Sequence, residues 1–95
     1  MADLLTQDQI SEALGSFLTK WTLEGDTIRR DVTADSFAGG ISLVDQIAVI
    51  ADAMDHHPDI DIRWTTITFR LSTHSAGGLT QNDLRLAGEI DRLAR

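Results

Sequence analysis

Between Ile60 and Leu71 the apolar residues change parity: Ile60, Ile62 and Trp64 fall on even numbers, Ile67, Phe69 and Leu71 on odd ones. A β-strand alternates its two faces with a period of two, so one continuous strand cannot bury both sets. The run must fold back on itself, and the sequence places the turn at Thr65-Thr66. A second alternating stretch lies upstream, with Trp21 and Leu23, a Glu24-Gly25-Asp26 turn signal, then Ile28, Arg30 and Val32. Two hairpins are the material of one four-stranded antiparallel sheet.

Three segments carry the other period. Ile10, Ala13, Leu14, Phe17 and Leu18 form one face of a helix expected over Gln7–Thr19, with Thr6 as its cap and Gln9 three residues on. From Phe37 the residues Ile41, Val44, Ile47, Ala48, Ala51 and Met54 share a stripe, and Ser36 or Asp35 is a suitable cap. Gly39-Gly40 near its start costs about 1 kcal/mol per glycine relative to alanine. That cost implies either a close backbone approach or a later helix start. Leu43, Val49 and Ile50 widen the apolar surface, which points to an oligomer contact. Pro58 ends the region. The last helix is capped by Thr80, with Asp83 at its third position and Leu84, Ala87, Ile90 and Ala94 facing inward. The expected order is α-β-β-α-β-β-α, an α+β domain over residues 1–95 with three helices on one face of the sheet. Its other face is open or packs against a second subunit.

Composition removes several classes of function. There is no cysteine, which excludes a disulfide scaffold, a thiolate zinc site and a cysteine nucleophile. A net charge of −7 repels phosphate backbones and anionic lipid, so neither nucleic acid nor membrane is an expected partner. No basic leader is visible and no run approaches the roughly 20 apolar residues that span a bilayer, so a soluble, cytoplasmic protein is expected.

The chemistry is concentrated in His56, His57 and His74, which stand at the ends of predicted elements, where a rigid sheet can hold reactive groups. An imidazole, with an unperturbed pKa of about 6.5, gives and takes protons at neutral pH. Two of them on opposite edges of a pocket can protonate a leaving hydroxyl and remove a proton from a neighbouring nitrogen. A rival reading joins the histidines to Asp55, Asp59 or Asp83 around a metal ion. Adjacent residues in extended chain point opposite ways, which keeps His56 and His57 from sharing one easily. Asp83 has a plain role as a helix cap and a second as the partner that fixes a histidine's tautomer. Gly77-Gly78 supplies a positive φ or room for a flat ligand. Trp64 and Phe69 read as sheet core before a stacking platform, and Arg29-Arg30 as a solvated hairpin edge.

The run Asp55-His56-His57-Pro58, the aromatic Trp64 and the stretch Leu71-Ser72-Thr73-His74 resemble the pterin-4a-carbinolamine dehydratase family. So do Gly78-Leu79-Thr80, Asp83 and Leu86-Ala87; the shared features span Trp21 to Leu93 and are dense from Asp55 to Ala87. The chain departs from the family at Asp59-Ile60-Asp61, where many members carry aromatics, and at Asp31-Val32-Thr33-Ala34, where many are rich in phenylalanine. Both departures bear on the apolar wall of the pocket.

The resemblance implies an α+β fold, dimers or tetramers, and the dehydration of a 4a-hydroxytetrahydropterin to the quinonoid dihydropterin without metal or cofactor. It implies His56 and His74 as the acid–base pair, His57 as a residue that orients the pterin, and Asp83 as the carboxylate that orients a histidine. His57, Pro58, Trp64, Thr73 and Ser75 are then expected to line the pterin. It also carries an alternative, a non-catalytic binding module on the same fold, acting as a dimerisation cofactor or an assembly factor.

Overall fold

The computed structural model describes residues 3–95. Helix α1 spans Gln7–Ser16. Thr6 and Gln9 cap it reciprocally: the Thr6 hydroxyl accepts from the Gln9 N–H (3.1 Å), and the Gln9 side chain accepts from the Thr6 N–H (2.8 Å). The helix stops short of the expected Thr19. The Leu18 N–H reaches back to the Ala13 carbonyl (2.9 Å) and the Trp21 N–H to the Leu18 carbonyl (3.1 Å). This tight exit buries Leu18 and Trp21 and leaves Phe17, expected on the inner face, exposed.

Strands β1 (Thr22–Glu24) and β2 (Thr27–Thr33) form the first hairpin, and β3 (Asp59–Arg63) and β4 (Thr66–Leu71) the second. The sheet order is β1-β2-β4-β3, antiparallel throughout. The weakly patterned β2 therefore lies at the sheet's centre, paired with β4 from Ile28↔Leu71 to Thr33↔Thr66. Even positions of β2 and odd positions of β4 face the helices. Ile28, Val32, Ile67, Phe69 and Leu71 are buried there, each contributing roughly 1.5–3 kcal/mol of apolar burial.

Two arginine and tryptophan readings change. Arg30 occupies an even, inward position and is buried, so it is not a solvated edge residue. Its guanidinium pairs with Asp91, whose carboxylate also accepts from Trp21 Nε1 (2.9 Å). The second hairpin turns at Trp64-Thr65, one residue earlier than expected, with Arg63 opposite Thr66. Trp64 takes φ +52° there, outside the strand's alternation, and is 79% exposed, while Phe69 alone of the two belongs to the core.

Helix α2 spans Phe37–Met54, with Ser36 as its cap accepting from the Gly39 N–H (2.9 Å). The glycine pair marks a close approach: a Cβ on Gly40 would lie 3.0 Å from Ile67 Cδ1. Its buried stripe is Gly40, Leu43, Ile47 and Ala51, so Leu43 rather than Ala48 faces the sheet. By length and composition α2 would also pass for a membrane span, but it packs as a core helix with its opposite side uncovered. Helix α3 spans Gln81–Leu93 and adds Asp83 and Leu86 to the expected buried residues.

The three helices lie on one face of the sheet. The opposite face is polar: Arg29 bonds Asp31, and Thr68 donates to the same carboxylate (2.8 Å).

Candidate active site

Helix α2 ends where Asp55 takes a left-handed conformation (φ 50°), its N–H reaching the Ala51 and Asp52 carbonyls. The His56 N–H also bonds to the Ala51 carbonyl (3.0 Å), so the first histidine is tied to the helix end and turned inward. His56 is buried, and its Nε2 lies 2.6 Å from Asp83 Oδ1.

Asp83 sits on the first turn of α3 and is fully buried. A buried carboxylate is tolerated only when its lone pairs are matched by donors. Here Oδ1 receives His56, while Oδ2 accepts from the Thr73 hydroxyl (2.7 Å) and from the Thr80 N–H (2.9 Å). An ionised carboxylate can only accept, so His56 Nε2 carries the proton on that side. The other ring nitrogen, Nδ1, has no protein partner among the described residues and is not sealed from solvent. The arrangement is a histidine with a fixed tautomer and an open lone pair, the geometry of an oriented general base.

His57 points the other way, as neighbours in extended chain must. Its Nε2 lies 2.8 Å from Asp52 Oδ1, in an exposed pair. Asp52 was not anticipated as a site residue. A signal existed, because an aspartate in a helix's last turn opposes the helix dipole and calls for a reason.

His74 opens a single 3₁₀ turn, His74–Ala76, closed by Gly77 at φ 76°. Thr73 and Gly78 bracket the turn with paired backbone bonds (2.8 and 3.3 Å). His74 and Ser75 are exposed, and the His74 ring makes no hydrogen bond to another described residue. The chain neighbour of His74, Thr73, bonds the same carboxylate as His56, so Asp83 anchors both histidine-bearing segments. Thr73 itself is buried with its hydroxyl committed to Asp83 and Thr80, so that side chain does not offer its hydroxyl to a ligand as expected.

Pro58 follows His57 at the start of β3. Trp64 is not brought to this group within one chain: it tips the far end of a hairpin whose strands span roughly 20 Å at about 3.3 Å per residue. Among the described residues no cluster of three or more His, Asp or Glu is placed to hold a metal ion.

A four-stranded antiparallel sheet, three helices on one face and a buried histidine–aspartate pair where the segments after α2 and β4 meet α3 define an α+β protein with one buried polar cluster at the end of its sheet. The family profile for pterin 4 alpha carbinolamine dehydratase matches residues 3–93. A protein of Nocardia farcinica is 57% identical over 98% of this chain and 97% of its own. One of Mycobacteroides abscessus is 60% identical over 93% of each. Both carry the provisional name pterin-4-alpha-carbinolamine dehydratase. A crystal structure from Brucella melitensis, described as a transcriptional coactivator/pterin dehydratase, superposes with a TM-score of 0.92 at 28% identity, covering 98% of this chain and all of its own. A pterin dehydratase-like protein identified as a RuBisCO assembly factor shares the fold (TM-score 0.64, 19% identity, 78% of this chain and 86% of its own). The chain belongs to the pterin-4a-carbinolamine dehydratase family.

Proposed function

We propose that this protein removes water from 4a-hydroxytetrahydropterin to give the quinonoid dihydropterin, with histidines as the only proton carriers. The C4a–O bond breaks as one imidazole protonates the leaving hydroxyl. A second imidazole takes the proton from the ring nitrogen, whose electron pair forms the new C=N bond. The balance needs no oxidant, and the two imidazoles end with each other's protonation state. His56 Nδ1 suits the base and His74 the acid, with His57 orienting the flat ring. The observation that carries this reading is the His56–Asp83 pair, which holds one histidine as an Nε2–H tautomer with its other nitrogen open.

Positioned acid–base groups contribute about 10²–10⁴-fold, and that range sets the test. In a stopped-flow assay with 4a-hydroxytetrahydropterin, wild-type protein should exceed the spontaneous rate and His74→Ala should lose most of that excess while staying folded. Near-normal turnover by the variant sinks the role given to His74.

The outer side of α2 supports self-association. Val49 is 70% exposed, beside a groove of about 440 Å³ lined by Ile50, Ala53, Met54, Asn82 and Arg85. That surface also suits the binding-module reading. A folded wild-type protein without turnover would shift the weight to it, and a mass measurement in solution decides between monomer and oligomer.

A further inference from the structure

The dehydratase reading uses His56 and Asp83 but leaves unexplained why two buried threonines converge on the same carboxylate. Thr73 precedes the His74 turn and Thr80 caps α3, and their hydroxyl oxygens lie 2.8 Å apart. Both are buried. The proton directions follow from chemistry. Asp83 Oδ2 has no proton to give, so the Thr73 hydroxyl donates to it, and its single proton is spent. The Thr80 hydroxyl must then donate to Thr73. The chain runs one way, from Thr80 to Thr73 to Oδ2, and each bond polarises the next.

We infer that Thr73 is a positioning residue: its hydroxyl, oriented by that of Thr80, occupies Asp83 Oδ2 and turns Oδ1 to His56, holding that imidazole as the Nε2–H tautomer with Nδ1 free. Three donors against one carboxylate leave it a single useful rotamer. Without the Thr73 hydroxyl, Oδ2 keeps only the Thr80 N–H, and the carboxylate can rotate to share one oxygen between that amide and His56. The ring is then free to populate the other tautomer or tilt. Backbone bonding of Thr73 to Gly78 is independent of the hydroxyl, so the turn that carries His74 survives its removal.

The kinetic part of this assignment rests on the dehydratase reading, and the spectroscopic part does not. The test compares Thr73→Val, which keeps the shape and removes the hydroxyl, with Thr73→Ser, which keeps the hydroxyl. In long-range ¹H–¹⁵N spectra of histidine-labelled protein, wild type should show His56 in the Nε2–H form. Thr73→Val should show a mixture of tautomers or the Nδ1–H form, and Thr73→Ser should return it to wild type. In turnover, Thr73→Val should lower kcat roughly ten- to a hundredfold, as loss of a histidine's outer partner commonly does. KM should stay within about twofold, because the hydroxyl makes no substrate contact.

A Thr73→Val protein with the wild-type tautomer and kcat overturns the assignment, whatever its stability. Should that variant fail to fold, Thr80→Val carries the test, since it removes the hydroxyl that orients Thr73 and caps α3 but keeps the Thr80 N–H on Asp83 Oδ2. The same spectral change in weaker form supports the assignment, and an unchanged His56 spectrum overturns it. The two readings fail separately. Wild-type protein without turnover, but with a tautomer that responds to Thr73→Val, removes the dehydratase reading alone. Active wild type with an indifferent Thr73→Val removes the positioning role alone.

Discussion

His56 and His57 are adjacent in the chain, and each meets an aspartate at nearly the same distance, 2.6 Å and 2.8 Å. Their surroundings differ completely. The first pair is buried beside α3: only the Nδ1 edge of His56 reaches solvent, and the carboxylate is fully buried and accepts from His56, Thr73 and Thr80. The second stands in water, with side chains 57% and 79% exposed. Distance alone says that the pairs are equivalent; environment says that they are not. In water a charge–dipole contact competes with solvent and with salt, whereas the Nε2–Oδ1 contact lies on the buried side of the ring, against a carboxylate that solvent does not reach. One pair can therefore lock a tautomer, and the other can only bias a mobile ring.

Removing the carboxylates one at a time should break the comparison open. Asp83→Ala should be the most damaging change in the molecule, costing about 3–5 kcal/mol, because it strands His56, the Thr73 hydroxyl and the Thr80 amide in the interior. Urea denaturation measures it, and a loss below about 1 kcal/mol would mean that the buried group relaxes as freely as an exposed one. Asp52→Ala should cost no more than about 1 kcal/mol, and that small difference should fade in 1 M salt, where the screening length is about 3 Å. A salt-insensitive effect would show that the His57 pair is less exposed in solution than it is here.

The smallest effect belongs to the open sheet face. The Arg29 guanidinium, with help from Thr68, holds the Asp31 carboxyl below the ordinary carboxylate range. A group depressed on folding stabilises the protein above its unfolded value, and that contribution disappears as pH falls through the folded one. Asp31 is exposed and screened, so Asp31→Asn should soften the acid limb of the stability–pH curve only slightly. Urea midpoints slightly below wild type above about pH 5, converging on wild type as the pH falls further, are the expected outcome; coincident curves across the whole range would show that the Arg29 contact contributes nothing.

Much of this was legible in advance, for local reasons. The parity change demanded a hairpin, the Thr6, Ser36 and Thr80 caps placed three helix starts, and Asp83 was a candidate to fix a histidine from its place at the third position of α3 and from the family resemblance. What was missed depends on partners distant in sequence. Arg30 looked solvated until Asp91, sixty-one residues away on helix α3, met it on the inner face of the sheet. Trp64 looked like core because alternation was counted one residue too far into the turn. The partners of the Thr73 hydroxyl were hidden because nothing in its neighbourhood announces that Thr80 and Asp83 fold back over it.

Taken alone, the order of residues settled periodicity, caps, the two hairpins and the family pattern, since each depends on neighbours within a few positions. Tertiary structure alone decided which histidine is buried, which oxygen of Asp83 it meets and which aspartate joins the other histidine. Desolvation is a property of what covers a group, and no spacing along a chain records what will come to lie on top of it.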